Sequence, residues 1–273
     1  MSSFMTMKQT TANLLEKVRA TSPLVHNLTN FVAMNSSANI LLAAGASPVM
    51  AHSPDEVEEM TGLADALVLN IGTLQNDWIE SMVLAGKAAN LKGIPVILDP
   101  VGSGATKFRT DTVKHIMNEV NISVLRGNAS EIFSLAWADI RTRGVDASLT
   151  VTPDMIHDAK ELAVKLRCIL AISGPEDIVT DGRQVFRVAN GHPLMTKVTG
   201  IGCGLSAVTA AFCARADGDI ISATAAALGY YGLCGDLASR ISRKPGGFFV
   251  AFLDTLYALS SQDIENSLNV HRV

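Results

Sequence analysis

Charged and aromatic residues are scarce in this sequence of 273 residues, making up 18% and 5% of the chain, and no run of lysine or arginine occurs. The formal net charge is -4 at pH 7. Proteins that bind nucleic acid or an anionic membrane through charge carry clustered basic side chains. We therefore expect neither nucleic acid nor a membrane as a partner.

Cysteines are also few and widely spaced. The four are Cys168, Cys203, Cys213 and Cys234, with no CxxC pair and no histidine at a metal-ligand interval. This spacing excludes an ordinary structural zinc site. The first nine residues are polar and lack the apolar stretch of a secretory signal, so we expect a cytoplasmic protein. The least charged stretch, 198–214, is interrupted by glycine and threonine, and we interpret it as a loop followed by a buried helix.

The pattern of hydrophobic residues, 48% of the chain, predicts an α/β fold. Short runs rich in Val, Ile and Leu alternate with longer helical segments, as in parallel strands joined by crossover helices. The predicted strands are residues 47–50, 66–71, 94–99, 122–125 and 168–173. After them, residues 178–180 and 184–186 flank Asp181-Gly182, a strong hairpin signal. We expect one domain over residues 1–273, with a mainly parallel central sheet flanked by helices and an antiparallel edge hairpin.

Two helix starts can be predicted from capping signals. Ser53-Pro54-Asp55-Glu56 has an N-cap residue, a proline and a glutamate at the expected offsets, and Thr152-Pro153-Asp154 has the first two of these signals. Beyond Gly200 the chain is predicted to be helical in three apolar segments. The last of these is 247–259, with no strand after it.

A glycine-rich segment, Thr199-Gly200-Ile201-Gly202-Cys203-Gly204, precedes a predicted helix over 205–214. Unpaired amides and the dipole at such a helix start favour a phosphate or a developing negative charge. Alternatively, the glycines only allow helices to pack closely. No P-loop sequence GxxxxGK[ST] occurs, and the Rossmann pattern fails because Leu205 stands where it needs glycine or alanine.

Polar residues that follow predicted strands are candidates for the chemistry, because ligands bind beyond the carboxyl ends of parallel strands. Asp99 could be a metal ligand or could accept hydrogen bonds from turn amides. Asn128 and Glu131 could help to place Mg²⁺, or could form a capping box. Arg126 could neutralise phosphate charge or be a surface arginine with a structural carboxylate partner.

Cys203 lies at the predicted helix start, where we expect the pKa of its thiol to be lowered. It could accept the proton of a substrate hydroxyl. The alternative is a small, buried and inert thiol.

Six segments, in this order and spacing, resemble the hydroxyethylthiazole kinase family, which belongs to the ribokinase-like kinases. They are Ser22-Pro23-Leu24-Val25-His26, Gly45-Ala46-Ser47-Pro48-Val49-Met50, Asn70-Ile71-Gly72-Thr73-Leu74, Leu98-Asp99-Pro100-Val101, Arg126-Gly127-Asn128-Ala129-Ser130-Glu131-Ile132 and Lys197-Val198-Thr199-Gly200-Ile201-Gly202-Cys203. The resemblance extends over nearly the whole chain. It implies that ATP, with Mg²⁺, phosphorylates 4-methyl-5-(2-hydroxyethyl)thiazole in a homotrimer with active sites at subunit boundaries.

The resemblance also implies a role for each matching residue. Met50 and Gly200 are expected to bind the thiazole, Arg126 and Ser173 to bind ATP, Asp99 and Glu131 to organise Mg²⁺, and Cys203 to occupy the position where most ribokinase-like kinases have an aspartate base. The family often has threonine where Ser173 stands, and threonine or alanine at Ile201. Two rival functions stay open: a kinase for a hydroxymethylpyrimidine or pyridoxal-type alcohol, and a binding protein without catalysis.

Overall fold

A computed structural model describes residues 5–136 and 151–273. In this part of the chain nine strands form one sheet in the order β2-β1-β3-β4-β5-β6-β7-β8-β9. The strands are β1 (Leu24–Leu28), β2 (Ser47–Val49), β3 (Ala66–Asn70), β4 (Val96–Asp99), β5 (Val124–Asn128), β6 (Ile169–Ser173), β7 (Asp177–Thr180), β8 (Val185–Val188) and β9 (Val270–Arg272). Strands β1 to β6 pair in parallel, and β7, β8 and β9 continue the sheet in antiparallel fashion. The predicted α/β class and edge hairpin are confirmed, and one domain over residues 1–273 stays a prediction.

Two strands were missed by the sequence patterns. Strand β1 contains the polar pair His26 and Asn27, both completely buried, so its sequence lacks a continuous apolar run. Strand β9 is three residues long and pairs with β8. The prediction that the chain beyond Gly200 is only helical is therefore wrong at its end.

The helices that surround the sheet are α1 (Met7–Thr21), α2 (Met34–Ala44), α3 (Val57–Leu63), α4 (Asn76–Lys92), α5 (Lys107–Glu119), α6 (Ala129–Phe133), α7 (Pro153–Leu166), α8 (Ile201–Cys213), α9 (Ile220–Ile241), α10 (Pro245–Ala258) and α11 (Ser261–Ser267). Thr152 caps α7 as predicted, with Pro153 in its first turn. The predicted start at Ser53 is wrong, because α3 begins at Val57, and the Ser53 hydroxyl instead accepts the amide of Asp55 in the preceding turn.

The core has two apolar layers, one on each face of the sheet. Along β3, Ala66 and Val68 face the layer that contains α8, α9 and α10, whereas Leu67 and Leu69 face the layer that contains α4, α5 and α7. This separation follows from the alternation of side chains along a strand. Because both faces are covered by helices, the parallel strands β3, β4 and β6 consist mainly of apolar residues, which is why their short runs could be recognised in the sequence.

Helix α8 is short and buried and lies in the stretch interpreted above as loop plus buried helix, in agreement with that interpretation. In the described ranges no helix combines the length and the apolar character that crossing a membrane requires.

The segment that precedes α8 packs against α9 at two glycines of that helix. A Cβ on Gly232 would lie 2.3 Å from the Asn190 carbonyl oxygen, and one on Gly235 would lie 2.4 Å from the Met195 sulfur.

Candidate active site

The carboxyl ends of the parallel strands bring polar side chains to one edge of the sheet, next to the first turn of α8. Asn70 ends β3 directly opposite Asp99, which ends β4. Farther along the sheet, Asn128 ends β5 opposite Ser173, which ends β6. The parallel register therefore places the members of each pair side by side, and the β4–β5 register brings Asp99 level with Arg126, two residues before Asn128. It also explains why residues far apart in the sequence can act together.

Asp99 is almost fully buried and makes two short hydrogen bonds. Its Oδ2 accepts from the Ser206 hydroxyl at 2.7 Å and from Asn70 Nδ2 at 2.9 Å, and Arg126 Nη1 lies 3.8 Å from the same oxygen. The other oxygen, Oδ1, has no hydrogen-bond partner among the described residues. Because a buried carboxylate oxygen is seldom left unsatisfied, Oδ1 is a position where a ligand atom or ion fits.

Burial raises the pKa of Asp99 to about 6, although the positive charge of Arg126 opposes this change. The negative charge of Glu131 raises the pKa further, so the two carboxylates lie close enough to repel each other. A cation between or beside them would remove this repulsion. The donor set also fits Mg²⁺, which commonly takes one or two protein carboxylates and completes its coordination with phosphate oxygens and water.

Glu131 forms the capping box that was one of its two interpretations. Its Oε2 accepts the amide of Asn128 at 2.9 Å, and the Asn128 side chain accepts the amide of Glu131. Glu131 Oε1 also accepts the amide of Gly102 at 2.9 Å, which ties the loop after β4 to the start of α6. Each carboxylate oxygen keeps a second lone pair, so the capping role leaves room for the predicted metal role.

No group of three or more His, Cys, Asp or Glu side chains in residues 5–136 and 151–273 is arranged to hold a metal ion by itself. The metal role of Asp99 and Glu131 stays a prediction. Beside Glu131 lies an open cleft of about 480 Å³, lined by Gly102, Ser103, Gly104, Asn128 and Ser134 among others. Such a cleft beyond the ends of β4 and β5 is where a ligand of a parallel sheet is expected.

Arg126 lies inside β5 and not after it, because the strand continues three residues beyond the predicted end at Leu125. The interpretation as a surface arginine is wrong, since only 9% of the residue is exposed. Its Nη2 donates to the Ser173 hydroxyl at 2.8 Å, and its Nη1 donates to the Gly202 carbonyl at 3.0 Å. Arg126 therefore connects the end of β6 to the start of α8.

Helix α8 begins four residues earlier than predicted, at Ile201, so the glycine-rich segment is its first turn. Gly200 is the N-cap and adopts φ 84°, and a Cβ there would lie 2.1 Å from Ser36 Oγ. Gly200 is thus required by its backbone conformation and by close contact with α2. Gly204 instead allows close packing, because a Cβ there would lie 2.4 Å from Ile40 Cδ1. The close-packing interpretation is therefore confirmed at Gly204, whereas the anion-site interpretation of the segment stays a prediction.

The start of α8 has the features of an anion site. The first amides of any helix lack acceptors within the helix, and the helix dipole places partial positive charge there. Gly202, in this turn, is exposed to solvent, whereas Ile201 is buried in the core. A Cβ on Gly202 would lie 3.4 Å from Arg126 Nη1, so the backbone of the turn and the guanidinium lie next to each other. Backbone and side chain together present positive charge at this point.

Cys203 is half-buried in the same turn, whereas the other three cysteines are buried. Its sulfur accepts a hydrogen bond from Asn30 Nδ2 at 3.2 Å. The expectation of a lowered pKa is wrong: burial raises the pKa of the Cys203 thiol, and the nearby charge of Asp99 raises it further. Because the pKa lies above its ordinary value of 9.0, Cys203 is a neutral thiol at neutral pH.

Met50 follows the edge strand β2 and is partly buried. Strands β1 and β3 separate β2 from β4, so Met50 lies to one side of the group formed by Asp99, Arg126, Ser173 and Cys203. The His26 Nε2 lies 2.6 Å from the carbonyl oxygen of Ala51, next to Met50, and holds this segment against β1. None of the roles given to the site residues is tested by these positions, and they stay predictions.

Three polar residues of the site were missed in the sequence. Asn30 follows β1, and Asn70 ends β3 within one of the segments that carry the family resemblance. Asn70 could have been found, because it directly follows an apolar run. Ser206 contacts Asp99 from within α8, and nothing in its sequence context indicates that contact.

The fold is shared with proteins of known structure. A ribokinase-like superfamily protein from Enterococcus faecalis V583 superimposes with a TM-score of 0.66, at 13% sequence identity, over 92% of this chain and 95% of that chain. A similarity at this identity concerns the fold alone. It defines the fold class: the described part of the chain has the ribokinase-like α/β fold.

Sequence comparison gives the family. The model of the hydroxyethylthiazole kinase family matches residues 15–262. A hydroxyethylthiazole kinase from Desulfotalea psychrophila is 52% identical over 261 residues, covering 96% of this chain and 95% of the relative. The structure of a hydroxyethylthiazole kinase from Pyrococcus horikoshii OT3 superimposes with a TM-score of 0.87, at 41% identity, over 96% of this chain and 98% of that one. The chain belongs to the hydroxyethylthiazole kinase family.

Proposed function

We propose that the protein transfers the γ-phosphoryl group of ATP to the hydroxyl of 4-methyl-5-(2-hydroxyethyl)thiazole, as a step of thiamine biosynthesis or salvage. Membership of the hydroxyethylthiazole kinase family supports the assignment of the thiazole alcohol as the substrate. The observation that best supports the site is the double contact of Arg126, whose guanidinium binds both Ser173 at the end of β6 and Gly202 in the first turn of α8. It places a fixed positive charge beside the free amides of that turn.

The first turn of α8 and Arg126 stabilise the group in transfer. Phosphoryl transfer passes through a loose transition state, so catalysis depends mainly on positioning and charge neutralisation. Amides fixed in a folded turn need no reorganisation during the reaction, and donors of this kind contribute about 3 kcal/mol each in other enzymes. Ser173 holds Arg126 in place and, as proposed, contacts ATP.

Asp99 and Glu131 hold Mg²⁺ in this proposal, through the free Oδ1 of Asp99 and the remaining lone pairs of Glu131. When bound, Mg²⁺ neutralises the charge of the phosphates. In the metal-free protein the pKa of Asp99 is raised to about 6, so the carboxyl group is half ionised at that pH and a proton competes with the metal ion below it. Metal binding should therefore weaken below pH 6, where the carboxyl group is protonated.

Cys203 aligns the alcohol in this proposal, by accepting a hydrogen bond from its hydroxyl. A neutral thiol has no charge with which to remove a proton, so its raised pKa favours alignment over general-base catalysis. In a loose transition state the hydroxyl proton does not have to leave before transfer. Met50 and Gly200 bind the thiazole ring in the same proposal.

We also propose a homotrimer with active sites at the subunit boundaries. Phe31 and Val32 directly follow Asn30 and are 55% and 63% exposed. Exposed apolar side chains beside a polar site are typical of a surface that another subunit covers. Light scattering with size-exclusion chromatography tests this proposal, and a monomer at micromolar concentration would contradict it. A cytoplasmic location also stays a prediction.

The function is tested by offering the purified protein ATP, Mg²⁺ and one of three alcohols: the thiazole alcohol, a hydroxymethylpyrimidine and pyridoxal. Mass spectrometry should detect the thiazole monophosphate, formed much faster than the other two products. Preferred phosphorylation of the pyrimidine or of pyridoxal would assign the protein to one of those substrates. If calorimetry shows binding of the thiazole and ATP but no product forms, the protein binds without catalysis.

A matched pair of variants connects this assay to the site. Arg126→Lys keeps the charge but cannot contact both Ser173 and Gly202, so we expect a large loss of kcat/KM. Arg215→Lys makes the same change at an arginine whose partner Asp65 directly precedes β3, at the end of that strand opposite to Asn70, and this variant should keep wild-type activity. Equal activity of the two variants would refute the role of Arg126.

A further inference from the structure

Two buried asparagines connect the carboxylate of Asp99 to the thiol of Cys203. Asn70 Nδ2 donates to Asp99 Oδ2 at 2.9 Å, and Asn30 Nδ2 donates to Asn70 Oδ1 at 2.8 Å. The same Asn30 nitrogen donates to Cys203 Sγ at 3.2 Å. Neither asparagine is more than 5% exposed. A chain of side-chain hydrogen bonds therefore runs from the end of β4 to the first turn of α8.

Two backbone amides fix the direction of donation in this series of side-chain hydrogen bonds. The amide of Ala33 donates to Asn30 Oδ1 at 3.0 Å, and the amide of Gly72 donates to Asn70 Oδ1 at 2.9 Å. A backbone N–H can only donate, so each of these side-chain oxygens must face it. The side-chain nitrogens must then face the opposite way, because a flipped amide would direct N–H against N–H.

It follows that the sulfur of Cys203 is an acceptor toward Asn30. The thiol has one proton and two lone pairs, and one lone pair is occupied by the Asn30 donor. The proton therefore points away from Asn30, and the second lone pair remains for another donor. The hydroxyl of the substrate is such a donor, because it must approach the first turn of α8 to be phosphorylated there.

We infer that Asn30 is a positioning residue for Cys203, whose sulfur it holds as a hydrogen-bond acceptor with one lone pair directed at the substrate hydroxyl. Asn70 and Asp99 hold Asn30 in turn. This inference rests on the proposed function, since it assigns Asn30 a part in aligning the same alcohol.

A purely structural role of Asn30 is the alternative. Its Oδ1 accepts the amide of Ala33, the residue that precedes α2, and could serve only to hold that helix start. Asn30→Asp separates the two roles, because a carboxylate keeps the acceptor for Ala33 but has no N–H for Asn70 or Cys203. Asn27→Asp is the matched control. Asn27 is also a buried asparagine of this segment, and its side chain donates to the Val25 carbonyl at 3.3 Å.

The test is a double-mutant cycle with Cys203→Ala, measured as kcat and KM for the thiazole alcohol. Asn30→Asp should lower kcat about 3- to 10-fold, the range of one net hydrogen bond. In the Cys203→Ala background the same change should alter kcat by less than about twofold, because sites that act through each other are not additive. Asn27→Asp should have the same effect in both backgrounds. If the effects of Asn30→Asp and Cys203→Ala simply multiply, the inference is wrong.

Asn30→Ala provides the same cycle if the aspartate variant does not fold. A second readout needs no catalysis: the rate at which iodoacetamide alkylates Cys203, followed by mass spectrometry. The other cysteines are buried, and burial raises the pKa of Cys168 and Cys213 to about 12, so they react slowly. Loss of the Asn30 donor should slow alkylation of Cys203 about threefold or more. An unchanged rate would overturn the inference, even if the protein proves to phosphorylate another alcohol.

Discussion

Replacing Asp99 by asparagine should make the protein more stable and nearly inactive. The pKa of this buried carboxyl rises from 3.8 to about 6 on folding, mainly through burial. One pKa unit corresponds to about 1.4 kcal/mol, so ionised Asp99 costs the folded state about 3 kcal/mol at pH 8. The asparagine side chain would keep the shape and the acceptor for Ser206 and Asn70 without the charge.

The pH dependence of this gain follows from the sign of the pKa change. Well below pH 3.8 the carboxyl is protonated in both the folded and the unfolded state, so it does not change the free energy of unfolding. Between pH 3.8 and about 6 the unfolded chain binds fewer protons, so the stability of the wild-type protein falls as the pH rises. The advantage of Asp99→Asn should therefore be small at pH 4 and reach about 3 kcal/mol above pH 7.

Thermal unfolding in buffer with a chelator measures this difference. For a chain of this size, about 3 kcal/mol corresponds to a rise in Tm of roughly 6 to 12 °C. Adding Mg²⁺ with ATP should then stabilise the wild-type protein and not the variant, because ligand binding stabilises only a folded state that retains the site. A variant that is less stable than wild type at pH 8, or equally stabilised by Mg²⁺ and ATP, would refute the reasoning.

Three further predictions concern neighbouring residues. Glu131→Gln should weaken Mg²⁺-dependent turnover more than it lowers Tm, and equal losses in the two measurements would leave Glu131 only its capping role. Cys203→Ala should keep part of the activity and Cys203→Asp should be tolerated; an aspartate variant that binds both substrates in calorimetry but is inactive would contradict the assignment. Gly200→Ala should lower the free energy of unfolding by about 1 to 3 kcal/mol in urea titrations, because φ is 84° at this residue and an alanine Cβ would clash with Ser36. An unchanged free energy of unfolding would show that α8 can begin with another backbone conformation.

The sequence predicted the parts of the fold that are decided locally. Parallel strands buried on both faces give short apolar runs, so β3, β4 and β6 could be recognised, and Asp181-Gly182 marked the hairpin between β7 and β8. Strand β1 could not be recognised, because the buried polar pair His26 and Asn27 interrupts its apolar run. Ser53 has the right neighbours for a cap, yet the backbone places the helix start at Val57.

The site was predictable only in part, because some of its features are local in the sequence and others depend on tertiary packing. Glycines and carboxylates at strand ends have local signatures, so Asp99, Glu131 and Gly200 could be named as candidates. The bonds that orient them depend on tertiary packing. The contact of Asn30 became visible only when β1 was placed beside β3, and the contact of Ser206 only when α8 was placed against β4. Likewise, the pKa of Cys203 is governed by its burial and by Asp99, neither of which the helix-start pattern contains.

The most direct test of the central claim is a crystal structure of the protein with Mg²⁺ and a non-hydrolysable ATP analogue. The γ-phosphate should lie within about 3 Å of amide nitrogens in the first turn of α8, with Mg²⁺ on the side of Asp99 and Glu131. If the phosphates bind elsewhere and that turn contacts only protein, the account of the site is wrong.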